Sequence, residues 1–139
     1  MSPLNKLRSL TIVSIAGLLQ ACSAGPKTSV GLYKVDADAT SSNTGVGQFT
    51  DTSGKAVFVE IPPVIDENCI ANTAVQFDPG TGQPVMMFKL KSTCKETLAE
   101  FTRNNIGNQM ALVIDDKLIT VPFINEEISG GSLILSGGF

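Results

Sequence analysis

Hydrophobic and polar positions divide the 139-residue chain into short alternating runs, separated by turn residues, and one helical stretch. "VGLYKV" (Val30–Val35) predicts a first strand, and the Asp-, Ser-, Thr-, Asn- and Gly-rich stretch Asp36–Gly47 predicts a long loop. Gln48–Thr50, a turn at Asp51–Gly54 and Lys55–Ile61 read as a hairpin that Pro62 and Pro63 stop. "DENCIANT" (66–73) predicts one short helical turn, "AVQFD" (74–78) a strand, and "PGTGQP" (79–84) a turn. In the return strand Val85–Lys91, Met86, Phe88 and Leu90 alternate with Met87, Lys89 and Lys91, so the first three predict a core face.

"STCKETLAEFTRNNIG" carries the helical period. Thr93-x-x-Glu96 has the form of a capping box, Cys94, Leu98 and Phe101 recur on one stripe, and Gly107 predicts the left-handed end. "MALVI" (110–114), a turn at 115–117 and "LITV" (118–121) predict a second hairpin, which Pro122 ends or edges. Ile128–Ser132 reads as a glycine turn and Leu133–Leu135 as a last short strand. About seven strands and one helix predict an α+β fold: a single small domain with a mostly antiparallel sheet and one main helix.

The start of the chain has a different pattern. Lys6 and Arg8 precede a run of 12 residues, Leu10–Ala21, that is mostly apolar and shorter than the ~20 residues a membrane-spanning helix needs. A basic start followed by a short apolar core predicts a secretion signal. "LLQAC" ends it with Leu19 three residues before Cys22, which resembles a bacterial lipobox. That resemblance implies removal of residues 1–21 and lipid on Cys22, with 22–29 as a tether and 30–139 as the domain; the competing reading is an ordinary signal with a chance cysteine. Ser23 after the cysteine, by analogy with Gram-negative lipoproteins, points to the outer membrane and a domain that faces the periplasm.

With Lys6 and Arg8 removed, 8 basic residues face 13 acidic ones, a net charge of −5. So acidic a chain has no electrostatic footprint for nucleic acid and no basic patch for anionic lipid, which leaves the membrane contact to the acyl chains on Cys22. Three cysteines then reduce to one pair, Cys69 and Cys94, which predicts an envelope disulfide over two separate buried thiols. Histidine is absent, and with it the Ser-His and Cys-His pairs and the commonest metal ligand. Neither a metal site nor a cofactor is expected. The acid pairs Asp115-Asp116 and Glu126-Glu127 read as solvated turn residues, and no serine has a G-x-S-x-G setting. A non-enzymatic protein is expected.

From residue 74 onward the chain resembles the periplasmic head subdomain of SecD, an accessory subunit of the protein-export translocase. Four blocks carry the resemblance: Asp78, Gly82, Pro84 and Val85; "FTRNNIG" (101–107); Ala111, Leu112, Ile114, Asp115, Ile119 and Pro122; and Ile128, Gly130, Ile134, Gly137 and Phe139. The likeness is good over about 55–139 and loose over 30–54. It implies a head-like α+β fold and a binding module for emerging, unfolded or secreted polypeptide or for a Sec component; the alternative is a structural or regulatory envelope lipoprotein with one fixed partner. It covers neither the base subdomain nor the six membrane helices of SecD, so the proton-coupled activity of the membrane part does not carry over. The family's Asp-Gly turn is Asp115-Asp116 here, which predicts another turn geometry, and the Cys69–Cys94 pair lies outside the family pattern. "SGGSLILSGG" lacks the lysine and following helix of a phosphate loop and is expected to be a turn and closing strand.

Overall fold

The computed structural model describes residues 28–136. Eight strands, one α-helix and one 3-10 turn follow in the order β1 (Val30–Lys34), β2 (Val46–Thr50), β3 (Ala56–Glu60), the 3-10 turn (Glu67–Cys69), β4 (Ile70–Phe77), β5 (Pro84–Leu90), α1 (Ser92–Asn104), β6 (Met110–Ile114), β7 (Lys117–Thr120) and β8 (Ser132–Ser136). The strands form three small antiparallel sheets, β1-β6-β7, β2-β3 and β4-β5-β8. The α+β class expected above holds, but the antiparallel structure is divided among three sheets.

That division follows from β6, whose first four residues are all buried. A strand that is apolar on both faces must be covered on both. On one side, Met110, Leu112 and Ile114, with Val30 and Leu32 of β1, pack against Phe88, Leu133 and Leu135 of the β4-β5-β8 sheet and against Leu98 and Phe101 of α1. On the other side, Ala111 and Val113, with Tyr33 and Val35, pack against Phe49, Val57 and Val59 of the β2-β3 hairpin and against Leu118. Tyr33 and Phe49 meet in a tilted pair with ring centroids 5.5 Å apart. The register Leu32↔Leu112 and Tyr33↔Ala111 keeps β1 and β6 in step, so each core receives alternate residues of both strands.

Three expectations need correction. Residues 66–73 hold only the 3-10 turn at Glu67–Cys69, capped by the Asp66 side chain on the Asn68 N–H, and β4 already begins at Ile70, four residues before the expected Ala74. The β5 ladder reaches back to pair Ile70 with Leu90, which overrides the polar look of Asn72 and Thr73. The Thr93-Glu96 capping box does not form. Lys91 occupies the N-cap without a side-chain bond, and the helix ends at Asn104, three residues before Gly107. The Asp115-Asp116 turn was expected to depart from Asp-Gly geometry, yet both residues have positive φ, 48° and 63°, as a two-residue hairpin of the primed type requires. Asp115 is engaged: its carboxylate accepts the Ser29 N–H at 2.9 Å, and its own N–H donates to the Ser29 carbonyl at 2.9 Å.

Cys69 and Cys94 are bonded, with Cα atoms 5.7 Å apart and a sequence separation of 25. The bond ties the start of β4 to the first turn of α1, beside the Lys91 N–H to Cys69 carbonyl bond of 2.9 Å. A loop of that length stabilises the fold by roughly 3 kcal/mol in the chain-entropy account.

Left-handed backbone disfavours a side chain at Asp116, which makes no side-chain hydrogen bond among the described residues. Asp116→Gly is therefore expected to raise stability by about 0.5–1 kcal/mol, measured as the midpoint of urea unfolding under non-reducing conditions. An unchanged or lower midpoint would contradict the strain argument.

Candidate functional site

Both edges of the β4-β5-β8 sheet, the outer side of β8 and the outer side of β4, are unpaired among the described residues. The edge of β1 is covered instead, through bridges from Leu32 to Ile65 and from Val35 to Val59. Hydrogen-bond parity shows what β8 presents. The Leu90 N–H donates to the Gly131 carbonyl at 2.8 Å, in register with the β5–β8 ladder. Pairs two residues apart repeat this pattern, so Leu133 and Leu135 bond to β5, and Ser132, Ile134 and Ser136 turn their N–H and C=O groups to the open side.

Along that open side runs a cleft of about 470 Å³, bounded by Pro122, Phe123, Glu126 and Ile128 opposite Ile134 and Leu135. Phe123 and Ile134 are 61% and 64% exposed, so the cleft carries two large apolar side chains at its mouth. Its remaining charged groups are carboxylates, Glu126 and Glu127, and none of its lining residues is basic.

The helix fixes the far wall of the cleft. Thr102 is fully buried on the stripe of Leu98, Ala99 and Phe101. Its hydroxyl donates to the Leu98 and Ala99 carbonyls at 2.8 and 3.1 Å and accepts the Ile128 N–H at 2.9 Å. Loss of that acceptor would strand a part-buried N–H, at a cost of about 1–3 kcal/mol. The next residue, Arg103, holds Glu127 in a bidentate pair, Nε to Oε2 at 3.0 Å and Nη2 to Oε1 at 2.9 Å. The Arg103 hydrogen bonds hold the Glu127 carboxyl below the usual range, and the Glu127 carboxylate in turn raises the guanidinium value. Two consecutive helix residues thus grip two consecutive loop residues. At the other end of the wall, Ile124 exchanges backbone bonds with Gly107 and Asn108, each at 2.8 Å.

The expected site residues fall as follows. Cys22 lies outside the described residues, as do the signal and most of the tether. Cys69 and Cys94 brace the fold and are not among the residues that line the cleft. Asp115-Asp116 forms a hairpin turn, whereas Glu126-Glu127 stands on the cleft wall with Glu127 paired. Gly130-Gly131 is the turn into β8, Gly131 at φ +65°, where an added Cβ would lie 2.5 Å from the Lys95 side chain. Among the described residues no three His, Cys, Asp or Glu side chains form a metal cluster, and no helix is long and apolar enough to cross a membrane. Thr102, Phe123 and Ile134 were not expected as site residues. A threonine placed i+4 from Leu98 on the apolar stripe was the readable signal for the first.

A family profile described as "SecDF, P1 head subdomain" matches residues 41–139. The protein translocase subunit SecD of Thermobaculum terrenum is 40% identical over 74 residues, 53% of this chain and 14% of that protein. SecD of Dictyoglomus turgidum is 30% identical over 96 residues, 69% of this chain and 22% of that protein. The chain thus spans less than a quarter of the length of these relatives. Two solved structures share the fold: SecDF in a "super-membrane-facing form", with a TM-score of 0.61, 20% identity and coverage of 79% of this chain and 16% of that one, and "a membrane component SecDF that enhances protein export", with a TM-score of 0.59, 19% identity and coverage of 78% and 55%.

The Arg103–Glu127 pair yields a pH prediction. The folded-state value of Glu127 is depressed, so its contribution is present above the ordinary value of 4.5 and is lost as pH falls through the lower folded value. Glu127→Gln should therefore lower the thermal midpoint at pH 7 by a small amount that 1 M salt reduces. The gap from wild type should close as the pH falls well below 4.5. A gap that persists there would assign the effect to packing.

Proposed function

The chain belongs to the SecDF P1 head family, and from that premise we propose that it is a non-enzymatic envelope lipoprotein that holds extended polypeptide at the edge of β8, on the periplasmic side. The carrying observation is the β8 edge itself: three residues with outward N–H and C=O groups beside a cleft that carries Phe123 and Ile134. Such an edge takes up a strand by main-chain bonds, while alternate side chains of the guest enter the cleft. Arg103 already neutralises Glu127, and Glu126, in no ion pair among the described residues, favours guests in which lysine or arginine flanks an apolar stretch. A chain in transit across a membrane, not yet folded, offers such segments.

The same reading places residues 1–21 as the signal, Cys22 as the lipidated amino end and 22–29 as the tether, with the outer membrane as destination. Two or more acyl chains anchor stably where one is marginal, and the acidic domain then stays off the anionic surface. Names of the relatives support a role in protein export, and Sec components are candidate neighbours on that ground.

A photo-crosslinking residue at Ile134 or Phe123 of the full chain, expressed in live cells, should capture many exported precursors, whereas one at Thr52, on the far hairpin, should not. Ile134→Pro removes an outward N–H without touching the β5 ladder and should abolish capture from Phe123. Equal yields from all three positions would refute the edge as the site, and a single fixed adduct would favour a structural or regulatory role. In a separate experiment a clickable fatty acid should label the wild-type chain and leave Cys22→Ala unlabelled; equal labelling would remove the anchor.

A further inference from the structure

The outer edge of β4 has a different character from that of β8. β4 is the longest strand, eight residues, and contains no charged side chain. Charge and brevity are the usual protection of an exposed edge, and this one has neither. Val75 and Phe77 are 60% and 72% exposed. The Asp78 N–H donates to the Gln83 carbonyl in register with β4–β5. By the same parity as before, Asn72, Ala74 and Gln76 bond to β5, and Thr73, Val75 and Phe77 turn their backbone groups outward. Their side chains lie on the face of Met86 and Phe88, their cross-strand neighbours' side, where a cleft of about 310 Å³ opens between Ile70, Thr73, Met86, Val30 and Ile114.

We propose that β4 pairs antiparallel with β4 of a second copy, about a two-fold axis at Val75, and that Phe77 of each chain covers the cleft of the other. Register arithmetic supplies the reason for this occupant. With Val75 opposite its own copy, Thr73 faces Phe77, and all three outward residues of each strand find partners, with the same patch used twice. Phe77 then stands beside Thr73, at the mouth of the cleft that Thr73 helps to line. On the opposite face Asp78 comes opposite Asn72 of the second copy, whose neighbour across β5 is Lys89. Asp78 receives its bonds from Gly80 and Thr81 on Oδ1, which leaves Oδ2 for a cation. Lys89 is exposed and is in no ion pair among the described residues. The two-fold therefore sets two acids beside two lysines at the rims and no like charges face to face. A transiting polypeptide would meet the same edge without this fixed complementarity.

Cysteine trapping tests the pairing in the full chain. Cα atoms of a hydrogen-bonded antiparallel pair sit about 5.5 Å apart, within the ~4.4–6.8 Å that a disulfide spans. Treatment of intact cells with a membrane-permeant oxidant should convert Val75→Cys to a species of twice the mass on a non-reducing gel, whereas Ile134→Cys on β8 should stay single. Sedimentation of the detergent-solubilised wild-type chain should give two copies, and Val75→Lys, which sets like charges across the axis on an exposed site, should weaken association at least tenfold with its thermal midpoint near that of wild type. A Val75→Cys chain that remains single, or one that forms no more dimer than Ile134→Cys, overturns the proposal, as does a wild-type mass of one copy. The test is independent of the β8 edge: failure here leaves the polypeptide reading standing, and the reverse.

Discussion

Because Met110, Leu112 and Ile114 point to one side of β6 while Ala111 and Val113 point to the other, this strand has no solvent face to give up. Everything else is placed to cover it. The β2-β3 hairpin closes one side, the β4-β5-β8 sheet and α1 close the other, and β1 follows β6 residue for residue. A chain of this size buries a smaller fraction of its surface than a large domain, and two thin cores joined by one shared strand use that fraction on both sides. A void at Leu112 would cost about 2–5 kcal/mol and would loosen the strand on which the second core also depends. The price of this layout is at the periphery, where two edges of the third sheet are left without a neighbour.

Those edges differ in what surrounds them, and that difference separates their proposed roles. β8 has a wall opposite it, built by the Thr102–Ile128 bond and the Arg103–Glu127 pair, and the resulting cleft keeps Glu126 as a carboxylate outside any ion pair among the described residues. β4 has no such wall. Its neutral backbone is open along its length, and its complementary charges stand at the ends, in positions that match under a two-fold. A guest of variable sequence suits the first arrangement, and a guest of fixed sequence suits the second.

Much of the fold was legible in the residues. "MALVI" announced a compact apolar strand, and the Leu98–Phe101 stripe and the "PGTGQP" turn were equally direct. The remainder was set by contacts distant in sequence. Asn72 and Thr73 are strand residues because β5 lies beside them, and no local propensity states that. Thr93 and Glu96 have the spacing of a cap but not the geometry, since the helix starts at the end of β5, where the Cys69–Cys94 bond and the Lys91 backbone already fix its first turn. The Asp115-Asp116 turn keeps the Asp-Gly backbone because a two-residue connection between twisted strands demands it, whatever the side chains. As for the site, Glu126-Glu127 and the glycine turn at Ile128–Ser132 read as surface structure and not as a cleft wall: Phe123 and Ile134 line one cleft with them only when the three-sheet arrangement is known.

Helix α1 begins without a side-chain cap, and a covalent link to β4 stands at its first turn. While both sulfurs carry protons, as they do among the thiols of the cytosol, neither device secures the helix start, and the wall that α1 supports is softer. A reduced chain is in that respect easier to unravel than the oxidised one, so the redox state of the surroundings sets how firmly the floor beneath Ile128 stands.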